Sequence, residues 1–156
     1  MGLDSYLYLE KYENKSKYDN ETREGFYPSD LKEVEDNLWE HNFLSKTTRY
    51  QVAYWRKANQ IHSYFVNMVG NGEDRCQDIY VDCGQLEELV ERCKKVLENH
   101  DLAEELLPTQ SGFFFGSTEY DEWYIKNLEL TIKQLEPIIK VLKENNDYEC
   151  YYQASW

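Results

Sequence analysis

The chain has 156 residues, a formal net charge of -13 and a mean hydropathy of -0.82. This excess of carboxylates excludes nucleic acid and anionic membranes as favourable direct partners, because both repel a strongly negative surface. Aromatic residues make up 15% of the chain, including 14 Tyr, and can bury far more area than a disordered chain would. We therefore expect one acidic globular domain over residues 1–156.

The predicted elements begin and end with short strands. Residues 3–9 and 148–152 are rich in Leu and Tyr and predict two strands that enter one sheet. The polar residues 10–25 predict a surface loop or hairpin tip. A helix is predicted after Pro28, with apolar side chains that include Val34 facing inward.

The middle of the chain contains two further predicted helices. Residues 49–69 place apolar side chains at alternating steps of four and three, which predicts one long helix. Residues 78–81 predict a short strand. Asp82 and Gln85 then form an acidic variant of the capping box before a helix that ends near Asn99.

The last predicted helix runs from about Glu119 to about Glu144, and Pro137 should bend it. Together the elements predict an α+β fold, with three or four helices packed on a small sheet that contains both terminal strands. The pattern does not give the order of the strands.

The N-terminal residues and the cysteines favour a cytoplasmic location. The sequence contains neither a signal peptide nor an apolar run of the ~18 residues needed to span a bilayer. Cys76, Cys83, Cys93 and Cys150 lack the paired short spacing of a zinc site. We therefore expect free thiols, no bound metal and no cofactor.

The first candidate site lies in the predicted middle helix. Trp55, Asn59 and His62 recur at steps of four and three and would share one helix face. Buried Asn and His side chains need hydrogen-bond partners, so they either brace the backbone or point into a pocket. Arg56 joins this candidate ligand-binding set, with exposure to solvent or pairing with a carboxylate as the alternative.

The second candidate site is the aromatic run between glycines at residues 112–123. It predicts either a buried strand before an ordinary N-cap, or a rigid aromatic wall beside open helix N–H groups that favour an anion. The candidate ligand-binding residues here are Gln110, Ser111, Phe113, Phe115, Ser117, Thr118 and Tyr120. We predict that this run lies against residues 54–62 to form one pocket, with Trp55 and Trp123 mostly buried.

Catalysis would require an acid and a base in that pocket, and the candidates are His62 with Glu119 or Asp121. This arrangement would make the protein a hydrolase. The sequence contains no metal, nucleophile or phosphate-loop motif, so we expect a non-enzymatic protein.

The third candidate is the acidic surface. Charged faces of exposed helices usually serve only solvation, but so many carboxylates on a small body can bind a basic protein surface. The candidate partner-binding residues are Glu33, Asp36, Glu40, Glu87, Glu91 and Glu98.

Three segments resemble one family. The opening MGLDSYL, the middle YWRKANQIH and the later LPTQSGFFFGS look like a family of small, uncharacterised phage and bacterial proteins that open MGLDMYL. The resemblance implies an intracellular accessory protein of phages or mobile elements, located in the host cytosol. It carries over no residue roles.

Two functions follow from these observations. We expect a phage-type accessory protein that binds and inhibits a basic host protein, such as a nucleic-acid-handling defence component, through its acidic surface. The alternative is a protein that binds or sequesters a small anionic ligand, such as a nucleotide or another phosphorylated signal.

Overall fold

The computed structural model describes residues 2–19 and 22–156, so residues 20 and 21 of the predicted loop lie outside the described part. Along the chain, the strands and helices are β1 (Asp4–Ser16), α1 (Lys32–Trp39), β2 (Phe43–Arg56), α2 (Asn59–Ser63), β3 (Ile79–Val81), α3 (Cys83–Glu98), α4 (Ala103–Leu106), α5 (Glu122–Glu144) and β4 (Tyr148–Ser155). A π-helix at Tyr64–Val69 continues α2, and short turns of 3-10 helix cover Lys17–Asp19, Ser29–Leu31 and His100–Leu102.

Within the described residues, the four strands form one antiparallel sheet in the order β2-β1-β4-β3. The central strands β1 and β4 come from the two ends of the chain. In the register of β3 and β4, Ile79 lies opposite Tyr152 and Val81 lies opposite Cys150. The predicted α+β fold with both terminal strands in the sheet is therefore confirmed.

The alternation of side chains along β1 determines which face of the sheet meets the helices. Ser5, Leu7 and Leu9 are buried, whereas Tyr6 and Tyr8 between them are half-buried on the opposite face. Successive strand residues point to opposite faces, so the first set belongs to the core. The same alternation buries Cys150, Tyr152 and Ala154 of β4.

Capping side chains determine where α3 and α5 begin. Asp82 accepts from the backbone N–H of Gln85 at 2.8 Å, and the Gln85 side chain accepts from the N–H of Asp82 at 2.9 Å. This reciprocal pair confirms the predicted capping box. Asp121 caps α5 by accepting from the N–H of Tyr124 at 3.1 Å. The two helices pack against each other.

The long helix predicted over residues 49–69 is wrong. Strand β2 occupies its first part, where Ala53 and Trp55 alternate with exposed residues, and helical structure begins only at Asn59. Val, Thr, Tyr and Trp favour strands, and pairing with β1 satisfies their backbone groups. Lys57, with a φ of 53°, makes the sharp turn between strand and helix.

The predicted loop at residues 10–25 is also partly wrong, because β1 continues to Ser16. The chain forms two compact units, of which the first contains residues 2–9 and Tyr50–Trp156 and the second contains Glu10–Arg49. Both β1 and β2 pass along the chain from one unit into the other.

The second unit buries a carboxylate in α1. Val34, predicted to face inward, is 50% exposed, whereas Glu35 is only 4% exposed. The Glu35 carboxylate accepts from the N–H of Tyr27 at 3.1 Å and lies 3.6 Å from the Arg23 guanidinium. These partners offset the cost of burying the charge, so the apolar pattern of this short helix does not determine its orientation.

Across residues 2–19 and 22–156, no helix is long and apolar enough to cross a lipid bilayer. All four cysteines are free thiols. Burial raises the pKa of both Cys93 and Cys150 to about 12, so these thiols stay protonated at neutral pH. In the same described residues, no group of three or more His, Cys, Asp and Glu side chains could hold a metal ion.

Candidate functional site

A cleft of about 520 Å³ lies in the first compact unit, where the end of β2 faces the N-terminal half of α5. A cleft of this size can enclose most of a small organic molecule. Its lining residues are Tyr54, Arg56, Lys57, Gln60, Thr109, Gly116, Ser117, Glu119, Asp121, Trp123, Tyr124, Asn127 and Leu130.

The α5 wall consists of Trp123, Asn127 and Leu130, which share one helix face at steps of four and three. The indole of Trp123 is 72% exposed, so the prediction that it is mostly buried is wrong. The helix begins at Glu122 and turns Tyr124 towards the core, which leaves its neighbour Trp123 pointing outwards. The side-chain amide of Asn127 makes no hydrogen bond with any described residue.

Two cationic side chains lie on the β2 side of the cleft, and they differ in whether they form a salt bridge. Arg56 donates to both carboxylate oxygens of Asp4, at 2.8 and 2.7 Å, and is therefore already paired. The hydroxyl of Tyr54 donates to the same carboxylate at 2.6 Å, and the bonds from Tyr54 and Arg56 hold the pKa of Asp4 below its usual value of 3.8. The exposed Lys57 ammonium forms no salt bridge with a described residue.

Gln134 fastens α5 to the edge of the sheet beside the cleft. Its side-chain amide accepts from the N–H of Tyr54 at 2.9 Å and donates to the carbonyl of Tyr54 at 3.1 Å. Because β2 is an edge strand, this amide takes the place of a neighbouring strand at that position. The strand and the helix therefore form two fixed walls.

The loop wall presents two carboxylates. Gly116, at a φ of 91°, approaches so closely that an added Cβ would lie 3.1 Å from the Cβ of Lys57. Ser117 accepts from the N–H of Glu119 at 3.0 Å. Asp121 uses one oxygen as the helix cap, whereas neither oxygen of Glu119 is bound by a described residue. The loop thus packs against the stem of Lys57 and adds acceptors to the lining of the cleft.

The helix start that was predicted as an anion site serves another purpose. Its N-cap carboxylate, Asp121, already accepts from the N–H of Tyr124, and Glu122 follows in the first turn. Negative charge therefore already meets the positive end of the helix dipole. Of the two possibilities for this helix start, an external anion or carboxylates of the chain itself, the geometry supports the second.

Tyr124 and Gln60 form the floor of the cleft. The Tyr124 hydroxyl donates to the carbonyl of Leu107 at 2.7 Å, and burial raises the pKa of this hydroxyl well above its usual range. Gln60 of α2 donates to the carbonyl of Tyr124 at 3.2 Å. The floor is thus closed by hydrogen bonds that join α5 to α2 and to Leu107 after α4.

Asn59 lies behind the loop wall and braces it. The buried side-chain amide donates to the carbonyls of Phe115 and Ser117, at 3.1 and 2.9 Å. Its oxygen accepts from the N–H of Gln110 at 3.0 Å. Of the two interpretations of Asn59, bracing of the backbone is therefore the one that the geometry supports.

His62 is fully buried and lies outside the lining of the cleft. One ring nitrogen is 2.8 Å from the hydroxyl of Tyr152, and the other is 2.9 Å from a carboxylate oxygen of Asp74. The Tyr152 hydroxyl is also 2.9 Å from the hydroxyl of Ser5. Of the two interpretations of His62, internal hydrogen bonding is therefore the one that the geometry supports. The alternative, in which it faces a pocket with Glu119 or Asp121, is contradicted because its two ring nitrogens are bound by Tyr152 and Asp74.

Trp55 is also a core residue, as predicted, but its position is on a strand. It is 0% exposed, and its indole N–H donates to the hydroxyl of Thr131 at 2.9 Å. Its inclusion among the ligand-binding residues is wrong, because the core encloses the whole side chain.

The aromatic run forms neither a strand nor a wall of the cleft. Phe113 is 80% exposed and stacks edge-on against the half-exposed Phe114, whereas Phe115 is buried beside His62. An added Cβ on Gly112 would lie 2.5 Å from the ring of Phe115, so this turn needs glycine there. The ring of Phe115 therefore supports the loop from inside.

The two predicted segments do lie against each other, and the cleft opens at their junction. Arg56, Ser117, Glu119 and Asp121 are the predicted site residues that line it. The remaining predicted ligand-binding residues lie outside the lining, namely Trp55, Asn59, His62, Gln110, Ser111, Phe113, Phe115, Thr118 and Tyr120.

Sequence reasoning missed several lining residues, including Lys57, Asn127 and Leu130. The predicted helix from about Glu119 already placed Trp123 and Asn127 four residues apart on one face, beside the inward Tyr124 and Leu128, and this was the available signal. No sequence pattern would have revealed Lys57, because its position depends on the sharp turn after β2.

Similarity to known proteins assigns no activity to this cleft. No protein-family model, curated protein or solved structure matches the chain. The resemblance of three segments to phage proteins that open MGLDMYL stays a prediction.

The candidate partner-binding carboxylates differ in their pairing. Asp36 pairs with Lys32 at 2.6 Å and with Arg23 at 2.8 Å, and Glu87 pairs with Lys143 at 3.2 Å. Four others are exposed and form no salt bridge with a described residue, namely Glu33, Glu40, Glu91 and Glu98.

Proposed function

We propose that the protein binds a small molecule in the cleft, and that this molecule carries an aromatic ring, an anionic group and hydrogen-bond donors. One observation carries the proposal: Lys57, Glu119, Asp121 and the exposed Trp123 all line one cleft. Each feature accepts one part of such a ligand.

The rigidity of the walls supports binding. Gln134 holds α5 to β2, and Asn59 holds both ends of the loop segment 110–117. A site that is already formed loses little conformational entropy when a ligand enters. The side chains of Lys57 and Glu119 are exposed, so a ligand can replace their water without breaking protein hydrogen bonds.

Thermal unfolding against a panel of nucleotides, sugar phosphates and aromatic amino acids tests the proposal. A ligand present at about 100 times its Kd should stabilise the protein by about 2.7 kcal/mol. Lys57→Gln and Trp123→Ala should each weaken the binding of that ligand. If no member of the panel raises the midpoint of unfolding, the proposal fails.

A matched variant controls for net charge. Lys133 is exposed on α5 and does not line the cleft, so Lys133→Gln removes the same charge elsewhere. It should leave the affinity unchanged at moderate ionic strength. Equal losses in Lys133→Gln and Lys57→Gln would show that the effect comes from overall charge, which would contradict a role for the cleft.

The second candidate function is that of a phage-type accessory protein in the host cytosol, which binds and inhibits a basic host protein. The exposed carboxylates of Glu91 and Glu98, which lack salt bridges in the described part of the chain, favour it. With Glu87 they lie on one face of α3, at steps of four and seven. A net charge of -13 would speed association with a basic surface.

Pull-down from host lysate at low and high salt tests this second function. A supporting partner must be basic, must dissociate as salt rises, and must be lost with the double variant Glu91→Gln and Glu98→Gln but not with Glu119→Gln. If no partner meets all three conditions, the acidic surface serves only solubility.

A further inference from the structure

The polar groups of the cleft restrict the ligand class further, and we infer that the ligand is a ribonucleoside phosphate. This inference rests on the proposed function. It assigns the ribose to Glu119, the phosphate to Lys57 and the base to the α5 face of Trp123 and Asn127.

The carboxylates require a ligand with neighbouring donors. Ionised carboxylates only accept hydrogen bonds, and neither oxygen of Glu119 is bound by a described residue. The second oxygen of Asp121 adds another acceptor. A vicinal diol supplies two hydroxyl donors at the spacing of one carboxylate, as in the acidic residues that bind ribose in dinucleotide-binding proteins.

Lys57 favours an anionic group in the same molecule. Asp4 already occupies Arg56, so Lys57 is the lining cation without a salt bridge among the residues described. Its ammonium forms no salt bridge with Glu119 or Asp121, although all three line one cleft. A phosphate on the ligand would satisfy Lys57 while the diol satisfies the loop wall.

The α5 face suits a nucleobase. Trp123 and Asn127 are four residues apart, so the indole and the side-chain amide are neighbours on one helix face. An aromatic face stacks on any base, and an Asn amide offers a donor and an acceptor to a base edge. The Lys126 ammonium lies over the indole, 5.1 Å from the ring centroid, which leaves one face for stacking.

A free aromatic amino acid is the competing ligand, because its ring, carboxylate and ammonium also match these groups. Its ammonium carries three donors and can serve both Glu119 and Asp121, but the smaller molecule would fill less of the cleft. A ribonucleoside phosphate is larger and offers donors to each, which suits a cleft of about 520 Å³. We therefore place the nucleotide ahead of the amino acid.

The test measures affinities by isothermal titration with the four ribonucleoside 5′-monophosphates, their 2′-deoxy counterparts, the four nucleosides, phenylalanine and tryptophan. We expect at least one ribonucleotide to bind, and its deoxy counterpart and its nucleoside to bind about tenfold more weakly or worse. Glu119→Gln should remove the preference for ribose, and Lys57→Gln should remove the preference for phosphate.

Glu129→Gln is the matched control, because Glu129 is exposed on α5 outside the lining. The Glu129→Gln variant should still bind ribonucleotides more tightly than deoxyribonucleotides, and nucleotides more tightly than nucleosides. Thermal unfolding of each free variant checks that it is folded, and both Glu119 and Lys57 are exposed enough for neutral replacement.

Three outcomes would overturn the inference. Equal affinity for ribonucleotides and deoxyribonucleotides would show that the ribose diol contributes nothing to binding. Binding of an amino acid without binding of any nucleotide would overturn the inference and leave the proposed function standing. Absence of binding by every compound, including those of the broader thermal panel, would overturn both.

Discussion

Polar side chains serve different purposes in α2 and in the adjoining cleft. In α2, Asn59, Gln60 and His62 are at most 2% exposed, and each has protein partners. In the cleft, Lys57 and Glu119 are exposed and form no salt bridge with any residue that the structure describes. Both sets of side chains are polar, but those of α2 are buried and those of the cleft are exposed to water.

This difference indicates which residues hold the fold and which can exchange partners. A buried polar group that loses its partner costs about 1–3 kcal/mol, so the side chains of α2 must keep their bonds. Exposed groups exchange water for a ligand at little cost. Substitutions in α2 should therefore change stability, and substitutions in the cleft should change binding.

The largest expected effect comes from His62→Ala. This change opens a cavity in the core and removes a partner from both Tyr152 and Asp74. We expect the free energy of unfolding to fall by about 4 kcal/mol. Urea unfolding measures it, and affinity for a cleft ligand should stay the same in the folded fraction.

His62→Gln, which keeps a donor and an acceptor, should lose less stability than His62→Ala. If a folded His62 variant lost affinity for a cleft ligand but little stability, the result would contradict the division between a stabilising α2 and a binding cleft.

Asn59→Ala should have the next largest effect. Three backbone groups, in Gln110, Phe115 and Ser117, lose a buried partner, and we expect a loss of about 2–3 kcal/mol in urea unfolding. Asn127→Ala is the control in the cleft, and it should change stability by less than about 0.5 kcal/mol. Similar losses in both variants would contradict the comparison.

Gly116→Ala should have an intermediate effect and sharpen the boundary between the two regions. The positive φ of 91° disfavours alanine by about 1 kcal/mol, and the new Cβ would press on Lys57 at 3.1 Å. We expect a total loss of about 1–2 kcal/mol in thermal unfolding.

Gly25→Ala is the control for backbone strain, because its φ is 72° and no atom lies within 4 Å of an added Cβ. A loss in Gly25→Ala as large as that in Gly116→Ala would show that contact with Lys57 contributes nothing.

The smallest effect should come from Asp4. The folded state lowers the pKa of this carboxyl below 3.8, mainly through the hydrogen bond from Tyr54, so its ionised form stabilises the fold. The contribution is complete above pH 3.8 and disappears as the pH falls through the lower folded value.

Because the groups are largely solvated, Asp4→Asn should cost at most about 1 kcal/mol at pH 7. The difference from the wild type should shrink in unfolding curves recorded below pH 3.8. A difference in stability that grows as the pH falls would contradict the claim that the ionised form of Asp4 stabilises the fold.

Local patterns predicted the elements whose signals are short-range. The capping box at Asp82 and Gln85 was found correctly because it depends only on neighbouring residues. The short strand at Ile79–Val81 was also found, from its β-prone residue types, although it pairs with the distant strand β4. Of the 13 residues that line the cleft, four were predicted site residues, namely Arg56, Ser117, Glu119 and Asp121.

The errors have different physical reasons, and the largest arose where the same residues fit both the helix period and the strand period. Ala53 and Trp55 fit a strand as well as a helix, and pairing with β1 decided between them. Trp123 was placed in the core because the aromatic segment was expected to share one core with residues 54–62, whereas α5 buries Tyr124 and leaves Trp123 exposed. Glu35 is buried in place of its apolar neighbours because its carboxylate accepts from the N–H of Tyr27 and lies close to the Arg23 guanidinium.

The sequence by itself determined the α+β composition, the acidic charge, and the pairing of aromatic and polar residues in two segments. Composition and local hydrogen bonds are properties of neighbouring residues, so they can be read without the fold. Only the tertiary structure decided that Asn59 and His62 face inward while Lys57, Glu119 and Asn127 share a cleft. That division depends on solvation, which is set by how distant segments pack against each other.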